Sequence, residues 1–141
     1  QPGLKDENMR ALFTFLFNSL STAHASFKSR TYITPLENQL KQLHLEISNS
    51  LEQKHSIARC AKQLNISESY FQLIYKKLFG ISFQQDLILM RVTRARFNLS
   101  TSNLSLSQIA EFCGYNNEVH FYRQFKKLTG VTPAQYRKHP F

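Results

Sequence analysis

An internal repeat at a shift of about fifty residues constrains this chain more than any other feature. The stretch Asn65-Ile66-Ser67-Glu68-Ser69-Tyr70-Phe71-Gln72-Leu73-Ile74-Tyr75-Lys76-Lys77-Leu78-Phe79-Gly80 is matched by Asn117-Glu118-Val119-His120-Phe121-Tyr122-Arg123-Gln124-Phe125-Lys126-Lys127-Leu128-Thr129-Gly130. Repetition at such a period means one supersecondary unit used more than once. In the first copy Phe71, Ile74, Tyr75 and Leu78 recur at helical spacing, and Ser69, Gln72, Leu73 and Lys76 occupy the opposite side. Ser67 suits the N-cap, where its hydroxyl accepts an orphan amide. Ile66 and Phe71 stand at the two positions of a hydrophobic staple. Gly80 supplies the stop.

A shorter helix precedes each of these. Ser56 caps one, with Ile57, Cys60, Ala61 and Leu64 inward; Ser105 caps the other, with Leu106, Ile109, Ala110 and Cys113 inward, at a shift of 49. The turn Gly114-Tyr115-Asn116 is one residue longer than its counterpart, which raises the shift to 50. Across residues 56–87 nine positions are identical: Ser56/Ser105, Ala61/Ala110, Glu68/Glu118, Phe71/Phe121, Lys76/Lys126, Lys77/Lys127, Leu78/Leu128, Gly80/Gly130 and Gln85/Gln135. Most are caps, core residues or the glycine stop, so the repeated object is a fold unit. Each unit reads as a helix, a tight turn and a second helix with a basic outer face, the helix-turn-helix arrangement. A small Ala61 or Ala110 lets the first helix lie close to the second, which then protrudes far enough to enter a major groove.

The elements around the repeat are marked by their caps. Thr34-Pro35-Leu36-Glu37 is a helix start with a capping box, and Leu36, Leu40, Leu43 and Ile47 share one face of the helix that begins there. Ser82-Phe83-Gln84-Gln85 reads as another box. It opens a long connecting helix to about Leu99, with apolar Leu87, Ile88, Met90, Val92 and Ala95. At least one of Arg91, Arg94 and Arg96 on it is expected to pair with an acid and tie it to both units. The segment Ser100–Asn103 breaks it. Thr132-Pro133-Ala134-Gln135 repeats the box and starts a short last helix with Tyr136. Upstream, residues 8–22 form an amphipathic pattern with Met9, Leu12, Phe13, Leu16, Phe17 and Leu20 in the stripe, and residues 23–33 read as a linker. Such a stripe must be buried against the rest of the chain, a second copy or an upstream domain.

Charge points to a class of partner. Residues 51–141 hold thirteen Lys/Arg against five Asp/Glu, whereas residues 1–50 hold five against four. A basic domain with a helical repeat points toward nucleic acid. No run approaches 18 apolar residues, and no signal peptide is visible, so a membrane partner is not expected and the protein is expected in the cytoplasm. The chain opens on Gln1, and the expectation is a fragment of a longer protein. Cys60 and Cys113 fall on core-facing sides and read as buried reduced thiols. The five His are scattered, with no nucleophile elbow, phosphate loop or metal-ligand spacing, so neither an enzyme, a cofactor nor a metal is expected.

The segments Leu89-Met90-Arg91-Val92-Thr93-Arg94-Ala95-Arg96-Phe97, Ile109-Ala110-Glu111-Phe112-Cys113-Gly114-Tyr115, Phe121-Tyr122-Arg123-Gln124-Phe125-Lys126-Lys127 and Gly130-Val131-Thr132-Pro133-Ala134-Gln135-Tyr136-Arg137 carry a resemblance. From about Pro35 to Lys138 the chain resembles the DNA-binding domain of the AraC/XylS family of bacterial transcription regulators. The resemblance implies an all-α fold: two homeodomain-like helix-turn-helix units, about 56–80 and 105–129, joined by a long helix at about 83–99. Residues 1–34 then fall to a linker or a partial upstream or dimerisation helix, and 35–141 to the DNA-binding domain. The family implies double-stranded DNA as partner, bound with two recognition helices in successive major grooves. RNA polymerase is a further candidate partner, as is a homodimer through residues 8–22 or an upstream domain.

Family contact positions match Ser69, Gln72, Leu73 and Lys76 in the first unit. Gln72 suits an adenine edge, and Lys76, further along, a phosphate. Leu73 departs from the polar or basic residue often found at its place; it suits a thymine methyl, or else this unit contributes little base reading. In the second unit the positions match Glu118, Val119, His120, Tyr122 and Arg123. Arg123 suits a guanine, Tyr122 a phosphate, and Lys126 and Lys127 the backbone. Glu68 and Glu118 suit the positive N-terminal ends of their helices. A basic protein-interaction module remains the rival reading.

Overall fold

The computed structural model describes residues 34–141, so the amphipathic pattern at 8–22 and the linker at 23–33 lie outside the described residues. Seven helices make up the described fold: α1 (Pro35–Ser48), α2 (Ile57–Gln63), α3 (Glu68–Phe79), α4 (Phe83–Thr101), α5 (Leu106–Phe112), α6 (Glu118–Thr129) and α7 (Pro133–Lys138). There are no strands among the described residues. The two helix-turn-helix units are α2–α3 and α5–α6, and α4 joins them.

The caps explain where the helices begin. The hydroxyls of Thr34, Ser56, Ser67, Ser82, Ser105 and Thr132 and the amide oxygen of Asn117 each accept a backbone N–H of the first turn. Reciprocal capping boxes form at Ser105/Gln108 and Thr132/Gln135. The box expected at Ser82 does not close, because the Gln85 side chain accepts the Ser82 hydroxyl instead of the Ser82 amide. At Thr34 the observed bond is the single one from the Glu37 amide. The two reading helices end alike, on Gly80 and Gly130 in the left-handed region.

Helix α4 runs two residues past the expected Leu99, to Thr101. Ser100 and Thr101 stay helical where a break was expected, with their hydroxyls bonded back to the carbonyls of Arg96 and Phe97.

Two hydrophobic cores lie on opposite sides of α4. The first gathers Leu40, Leu43, Ile47 and Leu51 with Cys60, Ala61, Phe71 and Tyr75, and receives Phe83 and Leu87 from α4. The second gathers Ile109, Ala110, Cys113, Phe121, Phe125 and Tyr136, and receives Leu89, Val92, Ala95 and Leu99 from α4. Leu87 and Leu89 are two residues apart, about 200° around a helix, so they point to opposite sides. This is why α4 looks apolar all round in sequence.

The first core contains a buried carboxylate. Asp86 accepts from the Tyr75 hydroxyl at 2.5 Å, and His44 Nε2 stands 3.2 Å from the same oxygen. His44 stacks on Phe79 with centroids 4.8 Å apart. The group links α1, α3 and the first turn of α4.

The arginines of α4 do hold the units together, with contacts that run to carbonyl oxygens, a hydroxyl and rings. Arg94 donates to the Ser48 carbonyl at the end of α1 at 3.0 Å. Arg96 donates to the Tyr136 hydroxyl at 3.2 Å and to the Phe141 carbonyl. The Arg91 guanidinium stands 5.7 Å from the Tyr115 ring centre. Arg137 likewise donates to the carbonyls of Leu99 and Leu104. A planar guanidinium with five donors suits helix-end carbonyls, which lack intrahelical partners.

The units also touch directly. Gly114, at φ +91, opens the turn between α5 and α6, and a Cβ there would lie 2.0 Å from the Leu51 carbonyl oxygen. Leu51 belongs to the loop between α1 and α2 and is buried in the first core. Its counterpart turn in the first unit uses Asn65 at φ 58. Only glycine lets the second turn approach the first unit this closely.

Candidate nucleic-acid interface

The turns that position the two reading helices share one geometry. The Ile66 amide donates to the Ala61 carbonyl and the Tyr115 amide to the Ala110 carbonyl, closing each turn back on the preceding helix. Ala61 and Ala110 are both buried, as their small size requires of a close helix crossing. Phe71 and Phe121 are fully buried at equivalent places, pinning α3 and α6 into their cores.

With those faces fixed, the opposite faces are open. On α3, Ser69, Gln72, Leu73 and Lys76 are all exposed, at spacings of three, four and seven residues from the first. On α6, Val119, Tyr122, Arg123 and Lys126 take the equivalent positions and are likewise exposed. Side chains at such spacings form one stripe. Leu73 is 65% exposed and Val119 60% exposed. Glu68 and Glu118 are the first residues of α3 and α6, where a negative charge favours the helix terminus.

His120 stands apart from the rest. It is exposed, but its ring meets Tyr115 edge-on at 5.4 Å, turned toward the preceding turn. Tyr115 in turn donates to the Gln124 side chain. Burial pushes the Tyr115 hydroxyl upward, so it remains a donor across the neutral range. Tyr70 is an exposed residue that helical periodicity did not single out. It is 46% exposed and occupies the position equivalent to His120, which was the available signal.

The charged groups of the two units differ. Around α2 and α3 lie Arg59, Lys62, Lys76 and Lys77 against Glu68; around α5 and α6 lie Arg123, Lys126 and Lys127 against Glu111 and Glu118. Arg59 is held over its own loop by a bond to the Lys54 carbonyl at 3.3 Å. Lys76, Lys77, Lys126 and Lys127 sit in the last turns of α3 and α6, where positive charge also complements the helix dipole.

No group of three or more His, Cys, Asp or Glu among the described residues is arranged to hold a metal ion. No helix among the described residues is long and apolar enough to cross a membrane. Cys60 and Cys113 are buried free thiols.

An all-helical fold that presents two equivalent reading helices from two helix-turn-helix units defines a class of DNA-binding domain. A family model described as a helix-turn-helix domain matches residues 60–139. The chain belongs to this family, in its AraC-type form of bacterial transcription regulators. It is 34% identical over 92 residues to the uncharacterized HTH-type transcriptional regulator YtdP of Bacillus subtilis, covering 65% of this chain and 12% of that protein. The C-terminal domain of AraT, a response regulator from Geobacillus stearothermophilus, superposes with TM-score 0.69 at 31% identity, covering 74% of this chain and 88% of that one. The DNA-binding domain of AdpA, a global transcriptional factor solved in complex with a target DNA, superposes with TM-score 0.68 at 27% identity, covering 71% of this chain and 90% of that one. The chain spans from about an eighth to about a third of the length of the curated relatives it matches.

Proposed function

We propose that residues 35–141 bind double-stranded DNA sequence-specifically, with α3 and α6 in successive major grooves of one face, and that this binding regulates transcription. The observation that carries the reading is α4. Its 19 residues span about 28 Å at 1.5 Å each, and it is packed into both cores. Successive major grooves lie about 34–36 Å apart, so one stiff element suits two reading heads at this separation. In the AdpA complex a domain of this fold is bound to its target DNA.

Within each stripe the roles follow from chemistry. Gln72 suits an adenine edge and Arg123 a guanine. Lys76, Lys126 and Tyr122 suit phosphates. Ser69, Leu73 and Val119 lie among them on the reading stripes. Glu118 serves its helix terminus, and His120 braces the Tyr115 turn. Residues 1–34 are assigned to a linker or to part of an upstream or dimerisation element. RNA polymerase contact and a homodimer through residues 8–22 belong to the same reading of the whole protein as a bacterial cytoplasmic regulator that lacks enzymatic activity.

The test is selection from a random duplex library, then a salt titration on the winning site. Two short blocks about one helical turn apart, with a steep loss of affinity as salt rises, are the expected result. A single block assigns reading to one unit. Weak binding with no enrichment overturns the reading in favour of a protein-interaction module.

A further inference from the structure

We infer that Leu73 and Val119 each read the 5-methyl group of a thymine, at different heights on their two reading helices. The inference deepens the DNA-reading function proposed above and rests on it. Leu73 and Val119 are among the most exposed large apolar side chains of the described residues, at 65% and 60%. Neither packs into a core cluster. Each lies within a stripe of otherwise polar or basic groups, next to Gln72 and Lys76 on α3 and to Tyr122 and Arg123 on α6.

Their heights differ. Val119 is the second residue of α6, at the place of Ser69 on α3; Leu73 is the sixth residue of α3, at the place of Arg123 on α6. So each stripe holds one aliphatic side chain, and the aliphatic of one unit stands at the position where the other unit is polar. The N-terminal half of a recognition helix is the part that meets base edges. In the major groove, the thymine methyl is the apolar group among base edges that otherwise offer donors and acceptors. An aliphatic side chain laid against any other edge strips water from a polar group without replacing its hydrogen bond. Further along each stripe, Lys76 three residues past Leu73 and Lys126 seven past Val119 match the phosphates that flank such a contact.

The first half-site accordingly combines adenine, read by Gln72, with a thymine methyl under Leu73. The second combines guanine, read by Arg123, with a thymine methyl under Val119. A duplex containing both is asymmetric, and the chain binds it in one direction.

The experiment uses the whole 141-residue chain and a duplex recovered by selection from a random library. Each thymine is replaced in turn by deoxyuridine, which removes the methyl and keeps every hydrogen-bonding group. Binding is followed by fluorescence anisotropy at one fixed salt concentration. One position in each half-site should weaken binding about fourfold, the weight of one buried carbon at about 0.8 kcal/mol. Leu73→Ala should erase the sensitivity at one position and leave the other, and Val119→Ala the reverse. Both side chains are exposed, so both variants should keep the wild-type circular dichroism. A chain that enriches a site yet changes affinity by less than about twofold at every deoxyuridine overturns the inference alone. Sensitivity that persists in both variants also overturns it. A chain that enriches no sequence overturns the inference together with the DNA-reading function.

Discussion

The Tyr75 hydroxyl and the Asp86 carboxylate, 2.5 Å apart in the first core, stand where the second core has Phe125 and Tyr136. Those two rings meet edge-on with centroids 5.6 Å apart. The same two helices are thus clasped by a hydrogen bond in one unit and by ring packing in the other. Tyr136 sends its own hydroxyl outward, to the Phe141 carbonyl. Asp86 is 1% exposed, so its charge depends on Tyr75 and His44 for solvation.

Removing both partners should therefore cost less than the two single removals added together. Tyr75→Phe leaves the carboxylate short of a donor, and Asp86→Ala leaves a buried hydroxyl without its acceptor. Each should lower stability by about 1–3 kcal/mol. The double variant should lose less than the sum, and urea denaturation of all four proteins measures the coupling.

Stability should fall in alkali, starting near pH 9. Burial raises Cys60 from 9.0 to about 11 and Cys113 from 9.0 to about 12. Burial raises Tyr75 further, helped by the Asp86 charge, and burial raises Tyr115 as well. All four are neutral in the folded chain, and the unfolded chain gives up their protons first. Their contribution is therefore complete below the ordinary values of 9.0 and 10.0 and shrinks as pH rises beyond them. Thermal melts between pH 7 and 11 test this. Tyr75→Phe should show a shallower decline from its own neutral-pH value above pH 10.

The thiols should also resist alkylation in the folded state. With Cys60 at about 11 and Cys113 at about 12, the thiolate is scarce at pH 8. Iodoacetamide at pH 8 should modify Cys60 roughly 100-fold more slowly than in denaturant, and Cys113 more slowly still.

Two glycine substitutions should separate backbone strain from contact. At Gly80, φ is +75 and a Cβ meets nothing within 4 Å, so Gly80→Ala should cost about 1–2 kcal/mol. At Gly114 the same strain is joined by a 2.0 Å clash with the Leu51 backbone. Gly114→Ala should cost clearly more than Gly80→Ala in urea. It should also shift the preferred distance between the two half-sites in a library of spacer lengths.

Base reading and charge should separate at Arg123 and Lys126. Arg123→Ala should lose about 1–3 kcal/mol and relax the sequence preference at one position. Lys126→Ala should weaken all sequences alike and lower the salt slope by about one. Competition binding at several salt concentrations tells the two apart.

The repeat was legible because its identities fall on residues whose roles are local: Ser56 and Ser105 as caps, Ala61 and Ala110 at the crossing, Phe71 and Phe121 in the cores, Gly80 and Gly130 as stops. Helical periodicity then showed which side of α3 is open, the repeat and the family resemblance carried that face to α6, and the exposed stripes agree. Contacts made across the fold were not legible. Periodicity put Tyr75 on an apolar face and gave no sign of Asp86 opposite, because the two meet only when α4 docks on α3. The carbonyl partners of Arg94 and Arg137 were not legible for a similar reason. The chain shows its acids as letters, whereas the carbonyls at the ends of α1 and α4 become acceptors only once the helices end there. Capping at Ser82 differed because Gln85 had a choice between an amide and a hydroxyl, which spacing alone does not decide.

The sharing of α4 also bears on how the chain is lost and gained as a whole. Phe83 and Leu87 complete one core while Val92 and Leu99 complete the other, so neither copy of the repeat owns the helix between them. Excising either copy exposes an apolar flank of α4 and leaves the survivor without a wall. A duplication of this design has given up modular autonomy: its halves melt together, and damage to one is inherited by the other.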